Sequence, residues 1–243
     1  MRFSRTFSAL FIMAVFFLSC NDEKKTDSQT TTGDSSSVVK SDKTTSSTII
    51  TSPQNMVVVR HRVADFGKWK ASYDAHDSMR LAAGLHTYVI SRGLEDTNMV
   101  MIAIRADDME KAKAFSQSPS LKAAMQKGGV TGAPKMDFTI LTYQDTSVQS
   151  TPMRSMTTFT VKDWAAWEKS FLEATQERID NGLMVRAYGH DAANNNRVTL
   201  VTAIIDSAKA AAYWMSDKLK ARRAAAGVIG VPERFLYRVI QRY

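Results

Sequence analysis

Val63-Ala64-Asp65-Phe66-Gly67-Lys68-Trp69-Lys70-Ala71-Ser72 is answered later in the chain by Val161-Lys162-Asp163-Trp164-Ala165-Ala166-Trp167-Glu168-Lys169-Ser170. Val63, Asp65, Trp69 and Ser72 return at matching positions, and so do Arg80, Gly84 and Leu85, as Arg178, Gly182 and Leu183. Farther on, Gly129-Val130-Thr131-Gly132-Ala133-Pro134 returns as Gly227-Val228-Ile229-Gly230-Val231-Pro232. From position 63 to 161 and from 129 to 227 the displacement is the same, 98 positions. One offset held across two distant blocks points to duplication of a whole domain, because chance matches would not stay in register.

Working outward from the first copy, Met56 to Val63 is rich in β-branched residues and predicts a strand. Asp65 is a good N-cap for a helix running to about Ala83, and Gly84 is the matching C-terminal stop. Strands follow near Thr87 to Gly93 and from Met99 to Arg105, around a polar turn at Glu95 to Asn98. Asp107-Asp108 opens a second helix that breaks at Ser118-Pro119, where Ser caps and Pro fits a first helical turn. A last strand covers Met136 to Tyr143. The second copy repeats the order, with strands near Ser155 to Val161, Met184 to His190, Arg197 to Ile204 and Phe235 to Arg242. The order βαββαβ is the ferredoxin-like arrangement. The Gly-Val-x-Gly-x-Pro block lacks the Gly-Lys-Ser/Thr ending of a phosphate loop and is read as a turn that needs glycine freedom.

Met99 to Ile104 is continuously apolar, which is most simply explained if both faces of its sheet are covered. Helices cover one face, so the twin unit must cover the other. The expected fold class is therefore α+β, with two tandem ferredoxin-like units, 55–146 and 153–243, packing their sheets face to face in an intramolecular dimeric α+β barrel. Val59 to Trp69, Ser118 to Met125 and the Gly-Val-x-Gly-x-Pro block resemble a group of bacterial proteins of the dimeric α/β barrel superfamily, which also holds antibiotic-biosynthesis monooxygenases and cyclase-like proteins. The resemblance implies a fold and leaves activity open, because this fold hosts unrelated functions. Having its twin on the same chain, the protein is expected to be a monomer.

Arg2 and Arg5 precede an uncharged, mostly apolar run from Thr6 to Leu18 that stops at Ser19-Cys20, the layout of a secretory signal over 1–19. That run is about thirteen residues, short of the ~20 that cross a bilayer as a helix. Phe17-Leu18-Ser19-Cys20 resembles a bacterial lipobox with Phe17 in place of the usual Leu, which implies lipidation of Cys20 and a membrane partner reached through its acyl chains. Asn21 in place of Asp implies the outer membrane, and Asp22-Glu23 resembles a surface-export signal, so a periplasmic and a cell-surface location both stay open. Cys20 is the sole cysteine, so no intramolecular disulfide and no cysteine metal cluster is available. From 20 to 54 the chain is rich in Ser, Thr, Asp and Lys and reads as a disordered tether. Its random-coil reach is roughly 30 Å.

Removing Arg2 and Arg5 takes the formal charge from +8 to +6, and a tether at −1 leaves +7 on the folded part. That balance favours anionic surfaces or ligands. Nucleic acid is not expected outside the cytoplasm. Lys218, Lys220, Arg222 and Arg223 form the densest basic cluster and read as a solvated helix face.

Phe66, Trp69 and Tyr73 fall on one helical stripe and read as core, as do Trp164, Trp167 and Phe171. The stripe continues to His76, Asp77 and Arg80 in the first copy and to Ala174, Thr175 and Arg178 in the second. Arg80 and Arg178 either bond the last carbonyls of their own helices or form a polar pocket floor. His61 is matched by Phe159 and His86 by Met184, so any chemistry is asymmetric and belongs to the first copy. Candidate catalytic residues are His61, His76 and Arg80; candidate ligand-binding residues are His61, Trp69, His76, Arg80, His86 and Arg178. No His-Glu-x-x-His, Gly-x-Ser-x-Gly, dinucleotide or zinc pattern occurs, and no metal or cofactor is expected. The expected function is an envelope lipoprotein holding a small, partly apolar or aromatic ligand in a barrel cavity. The alternatives are a cofactor-independent oxygenase or cyclase-like enzyme and a structural or interaction module of the envelope.

Overall fold

Each half of the chain starts on an aspartate cap. In the computed structural model, which describes residues 47–243, strand β1 (Ile49–Ile50) and strand β2 (Gln54–Val63) lead to Asp65, whose carboxylate accepts the Lys68 N–H at 2.7 Å. Helix α1 (Phe66–Ala75) follows, then α2 (Asp77–Ala82). A single helix to Ala83 was expected, but the chain breaks at His76 with no proline or glycine to mark the place. Arg80 reaches back across that break and donates to the Tyr73 carbonyl at 2.7 Å, which holds the two short helices together. Gly84, at φ +67°, ends the segment where a side chain would be strained.

Strands β3 (Leu85–Gly93) and β4 (Met99–Ala106) form the next hairpin, and helices α3 (Met109–Ser116) and α4 (Pro119–Lys127) are separated where Ser118 caps and Pro119 starts a new turn. Strand β5 (Val130–Asp145) completes the unit. The Gly129–Pro134 block is not only a turn. Val130 and Thr131 already pair with Val63 and Arg62, and the register shift that follows accommodates Gly132 at φ +75°. The second copy runs β6 (Met153–Val161), α5 (Trp164–Glu173), α6 (Thr175–Asp180), β7 (Leu183–Asp191), β8 (Arg197–Ile204), α7 (Ser207–Met215), α8 (Asp217–Ala225) and β9 (Val228–Arg242).

The expectations for a signal peptide, for lipidated Cys20 and for most of the tether lie outside the described residues. The end of the segment read as tether is ordered instead, because Ile49 and Ile50 pair with Asp145 and Gln144 of β5. Two β-branched apolar residues beside an open strand edge are enough to add a short strand.

All strands among the described residues belong to one nine-stranded sheet in the order β1-β5-β2-β4-β3-β9-β6-β8-β7, with β7 returning to β5. The two halves were expected to pack face to face; they also join edge to edge. β3 pairs antiparallel with β9 and β5 with β7, so every strand but β1 lies in a closed ring. Closure removes the four open edges that two separate sheets would leave.

Alternation along the strands then sorts the side chains. Met56, Val58, Met101, Leu141, Met156 and Tyr237 pack inside the ring. Val57, Val59, Val100, Ile102 and Ile104 face outward beneath α1 to α4. One mouth is closed by Arg60, which bonds Glu233 at 2.9 Å and lies 3.5 Å from Asp137, while Arg197 holds Asp137 from the second half at 3.0 Å. At the other mouth Arg186 pairs with Asp145, and Arg154 donates to the Thr151 and Met153 carbonyls.

The ring is tightest where β5 meets β7. A Cβ added at Gly189 would overlap the Ile140 carbonyl oxygen, and that backbone is already committed to the β5–β7 ladder. Gly189→Val is expected to destabilise the fold by about 3 kcal/mol, lowering the thermal midpoint by roughly 6 to 12 °C in a domain of this size. A calorimetric scan reading the same midpoint as the parent chain would show that this seam does not hold the halves together.

Candidate functional site

The alternation that fills the ring with Met56 and Val58 sends His61 outward, to the face shared with Val57 and Val59. There it meets the first helical layer. His61, Trp69, His76 and Arg80 line one cavity of about 70 Å³ between the sheet and α1 to α4. The sequence expectation placed these residues around a barrel cavity, and that placement is corrected: they converge outside the ring, under the helices, whereas the ring encloses a separate cavity of about 80 Å³ lined by Met56, Met101, Met156 and Tyr237. The physical reason is strand parity, since residues 57, 59 and 61 share a face that cannot point into the ring while 56 and 58 do.

The cavity wall is mostly apolar, with Ile102, Phe115, Met125 and Met136 among its side chains, and three polar groups stand in it. His61 is 4% exposed, and neither ring nitrogen has a hydrogen-bond partner. Burial with no compensating charge holds its pKa down at about 4, so the ring is neutral near neutral pH. It meets Trp69 edge-on, ring centres 5.7 Å apart. His76 is different. Its Nδ1 lies 2.6 Å from the Ser72 carbonyl, which only accepts, so Nδ1 carries the proton and Nε2 keeps a free lone pair.

Arg80 behaves as a helix clamp as well as a cavity wall. Its Nη1 donates to Tyr73 O, its Nη2 to Asp77 at 2.9 Å, and its guanidinium lies 3.6 Å from the centre of the Tyr73 ring. The Nε remains buried without a partner. Tyr73 in turn shares a 2.7 Å hydrogen bond with Thr87, and burial pushes its phenol up to about 12. The stripe arginine thus bonds a carbonyl of the preceding helix, not the last carbonyls of its own, and it also lines the cavity.

Two sequence candidates lie elsewhere. His86 is exposed and pairs with Asp107 at 3.0 Å, away from the cavity. Arg178 repeats the clamp in the second half, donating to Phe171 O at 2.6 Å with its guanidinium 3.7 Å from the Phe171 ring. It lines a separate cavity of about 80 Å³ under the second helical layer. Sequence reasoning missed Met79, Met125 and Met136, which line the first cavity from α2, α4 and β5. Their shared orientation depends on the helix break at His76 and on the early start of β5, neither of which left a local signal.

The twin cavity explains what His61 replaces. Phe159 meets Trp167 at 5.5 Å and 61°, and His61 meets Trp69 at 5.7 Å and the same 61°. An imidazole thus fills a phenyl site, bringing two nitrogens that nothing among the described residues satisfies.

No protein-family model matches the chain, and no curated protein matches it in sequence. Among solved structures it is similar to an anthrone oxidase-like protein at 16% identity, TM-score 0.53, covering 79% of this chain and 94% of that one. A protein of Fusobacterium nucleatum provisionally termed a monooxygenase matches at 13% identity, TM-score 0.52, over 78% and 93% of the two chains. A similarly termed protein of Lactobacillus acidophilus matches at 10% identity, TM-score 0.51, over 77% and 93%. At these identities the likeness is one of fold. The chain has the dimeric α+β barrel architecture.

The orphaned imidazole has a measurable cost. Between pH 6.5 and about 4 the unfolded chain binds a proton at residue 61 and the folded chain does not, so stability falls on acidification through that window. The loss from this group is up to about 3 kcal/mol, complete below the folded pKa and absent above the unfolded one. His61→Phe, which installs the twin's residue, is expected to abolish that share of the acid sensitivity in urea unfolding. Equal slopes against pH in the two proteins would mean that the ring is protonated or solvated in the fold.

Proposed function

We propose that the first helix–sheet cavity holds a small, partly apolar organic molecule, with His61 and His76 as its polar contacts. The observation that carries this is His61. A buried side chain with donor and acceptor both unmet costs roughly 1–3 kcal/mol per group unless something meets them, and the twin site shows that a phenyl ring fits the same place without that cost. A hydroxyl or carbonyl on a ligand would satisfy one nitrogen. An apolar wall with a few convergent polar groups is the usual make-up of such sites. The enclosed space holds about two waters at ~30 Å³ each, so a ring-sized ligand requires the Met79, Met125 and Met136 side chains to swing aside, which their unbranched chains permit.

A cofactor-independent oxygenase or cyclase-like activity is the second reading, supported by the names of the structural neighbours and by His76. His76, with Nδ1–H committed to Ser72 O, leaves Nε2 free of that bond and is the candidate general base on geometry; His61, whose proton affinity is depressed, suits ligand orientation. Arg80 has its buried Nε–H unpartnered, a donor available to steady a developing oxyanion. A structural envelope module is the third reading; the cavity inside the ring does not favour it, and it gives no role to the unsatisfied histidine. The protein is proposed to act as a monomer with an internal pseudo-dimer, lipidated at Cys20 and attached to the outer membrane of the cell envelope.

Protein purified from its native source is expected to carry a small molecule detectable by mass spectrometry, and His61→Phe to lose it while keeping its fold. If the variant retains the same molecule in equal amount, the first cavity is not its site. Dioxygen consumption with aromatic candidates, unchanged after both His61→Ala and His76→Ala, would remove the oxygenase reading. Cys20→Ser is expected to move the protein to the soluble fraction; a variant that still sediments with membranes would overturn the anchor.

A further inference from the structure

The cavity under the second helical layer occupies the same place as the first, but its chemistry has been exchanged. Where the first has Met125 and Met136, the second has Arg223 and Arg234. Val59 and Ile104 become Thr157 and Thr202, and Ser116 becomes Trp214. Arg222 also reaches this cavity, but it is spoken for: it bonds Glu177 at 2.6 Å, and Glu177 also receives Tyr213 and Lys218. That leaves the helix face bearing Lys218 and Arg222 neutralised in part, and it corrects the sequence expectation that Arg223 is merely solvated.

Arg223 and Arg234 have no such partner. Neither forms a salt bridge with any acidic group among the described residues, and the Arg234 Nε is buried without a hydrogen bond. Arg234 lies 4.1 Å from the centre of the Trp214 ring, which orients the guanidinium but does not balance its charge. Arg178 contributes a third guanidinium, again with an unmet Nε. Burial lowers the pKa of Arg178 and of Arg234 to about 10, the latter with Arg223 adding to the effect. Three cations facing one cavity without a matching carboxylate is a costly arrangement in an empty protein. It becomes favourable once an anion enters.

We propose that this second cavity binds a small aromatic carboxylate, held by Arg223 and Arg234 through its carboxylate and by Trp214, Trp167 and Phe171 against its ring. Planar guanidinium forks match a carboxylate in geometry as well as charge. The aromatic walls and a space of about 80 Å³, open toward half-buried Arg222 and Arg223, limit the body to a single ring, whose entry requires the long arginine side chains at the mouth to swing aside as the methionines must in the first cavity. His61 takes no part, so the proposal stands or falls separately from the function assigned to the first cavity.

Benzoate and its neutral counterpart benzyl alcohol are the probes, titrated against the folded chain by ligand-observed NMR. Benzoate is expected to bind more tightly than benzyl alcohol, and the double variant Arg223→Met, Arg234→Met, which restores the first cavity's residues, to weaken benzoate by about tenfold or more while leaving benzyl alcohol unchanged. Arg223→Gln, a milder change at the rim, is expected to weaken benzoate in the same direction should the double variant not fold. His61→Phe is expected to leave benzoate affinity untouched, which separates this site from the first. Equal affinity for the two probes in the parent chain, or full benzoate affinity in the arginine variants, would overturn the assignment.

Discussion

The β3–β9 and β5–β7 hydrogen-bond ladders are the constraint on which the rest of this molecule depends. Each half by itself would be a four-stranded sheet with helices on one face, an apolar concave surface on the other and two open edges. Burying the concave faces against each other answers the hydrophobic problem but leaves the edges. Pairing the edges answers both, and it fixes which residues can see solvent. The inside of the ring keeps a cavity of about 80 Å³ among methionine, tyrosine and the arginines of one mouth, and two further cavities of similar size lie outward, at the helix–sheet seams.

Much of the architecture was legible in the sequence because it was written twice. Asp65 and Asp163 as caps, Ser118-Pro119 as a break and Gly84 as a stop each have a local chemical cause that does not need the rest of the fold. The helix break at His76 was not legible, since it is stabilised by Arg80 reaching back to Tyr73 O and carries no breaker residue. The closure of the ring was not legible either. It rests on Gly189 lying against the Ile140 carbonyl, a long-range fit that looks in sequence like any strand glycine.

For the site, residue type was informative and placement was not. His61, Trp69, His76 and Arg80 were singled out by helical spacing and by the asymmetry between copies, and they do share one cavity. They do not face the ring, because a strand's alternation cannot be assigned to inside or outside until the helical layer is located. His86 looked equivalent on paper and turns out to be a surface partner of Asp107. Comparing the copies position by position is more powerful than reading either alone: closely similar ring geometry at His61 and Phe159 brings out what the substitution adds, hydrogen-bonding capacity.

Fusing the two halves on one polypeptide has an evolutionary corollary. In a barrel assembled from two identical chains, any substitution appears twice, so an orphan imidazole or an unbalanced guanidinium would burden both seams simultaneously. Here each seam mutates alone, and the intact neighbour continues to support the shared ring. Specialisation of one compartment is thereby insulated from the other, which lets a single small protein carry dissimilar chemistry on opposite flanks of a common scaffold.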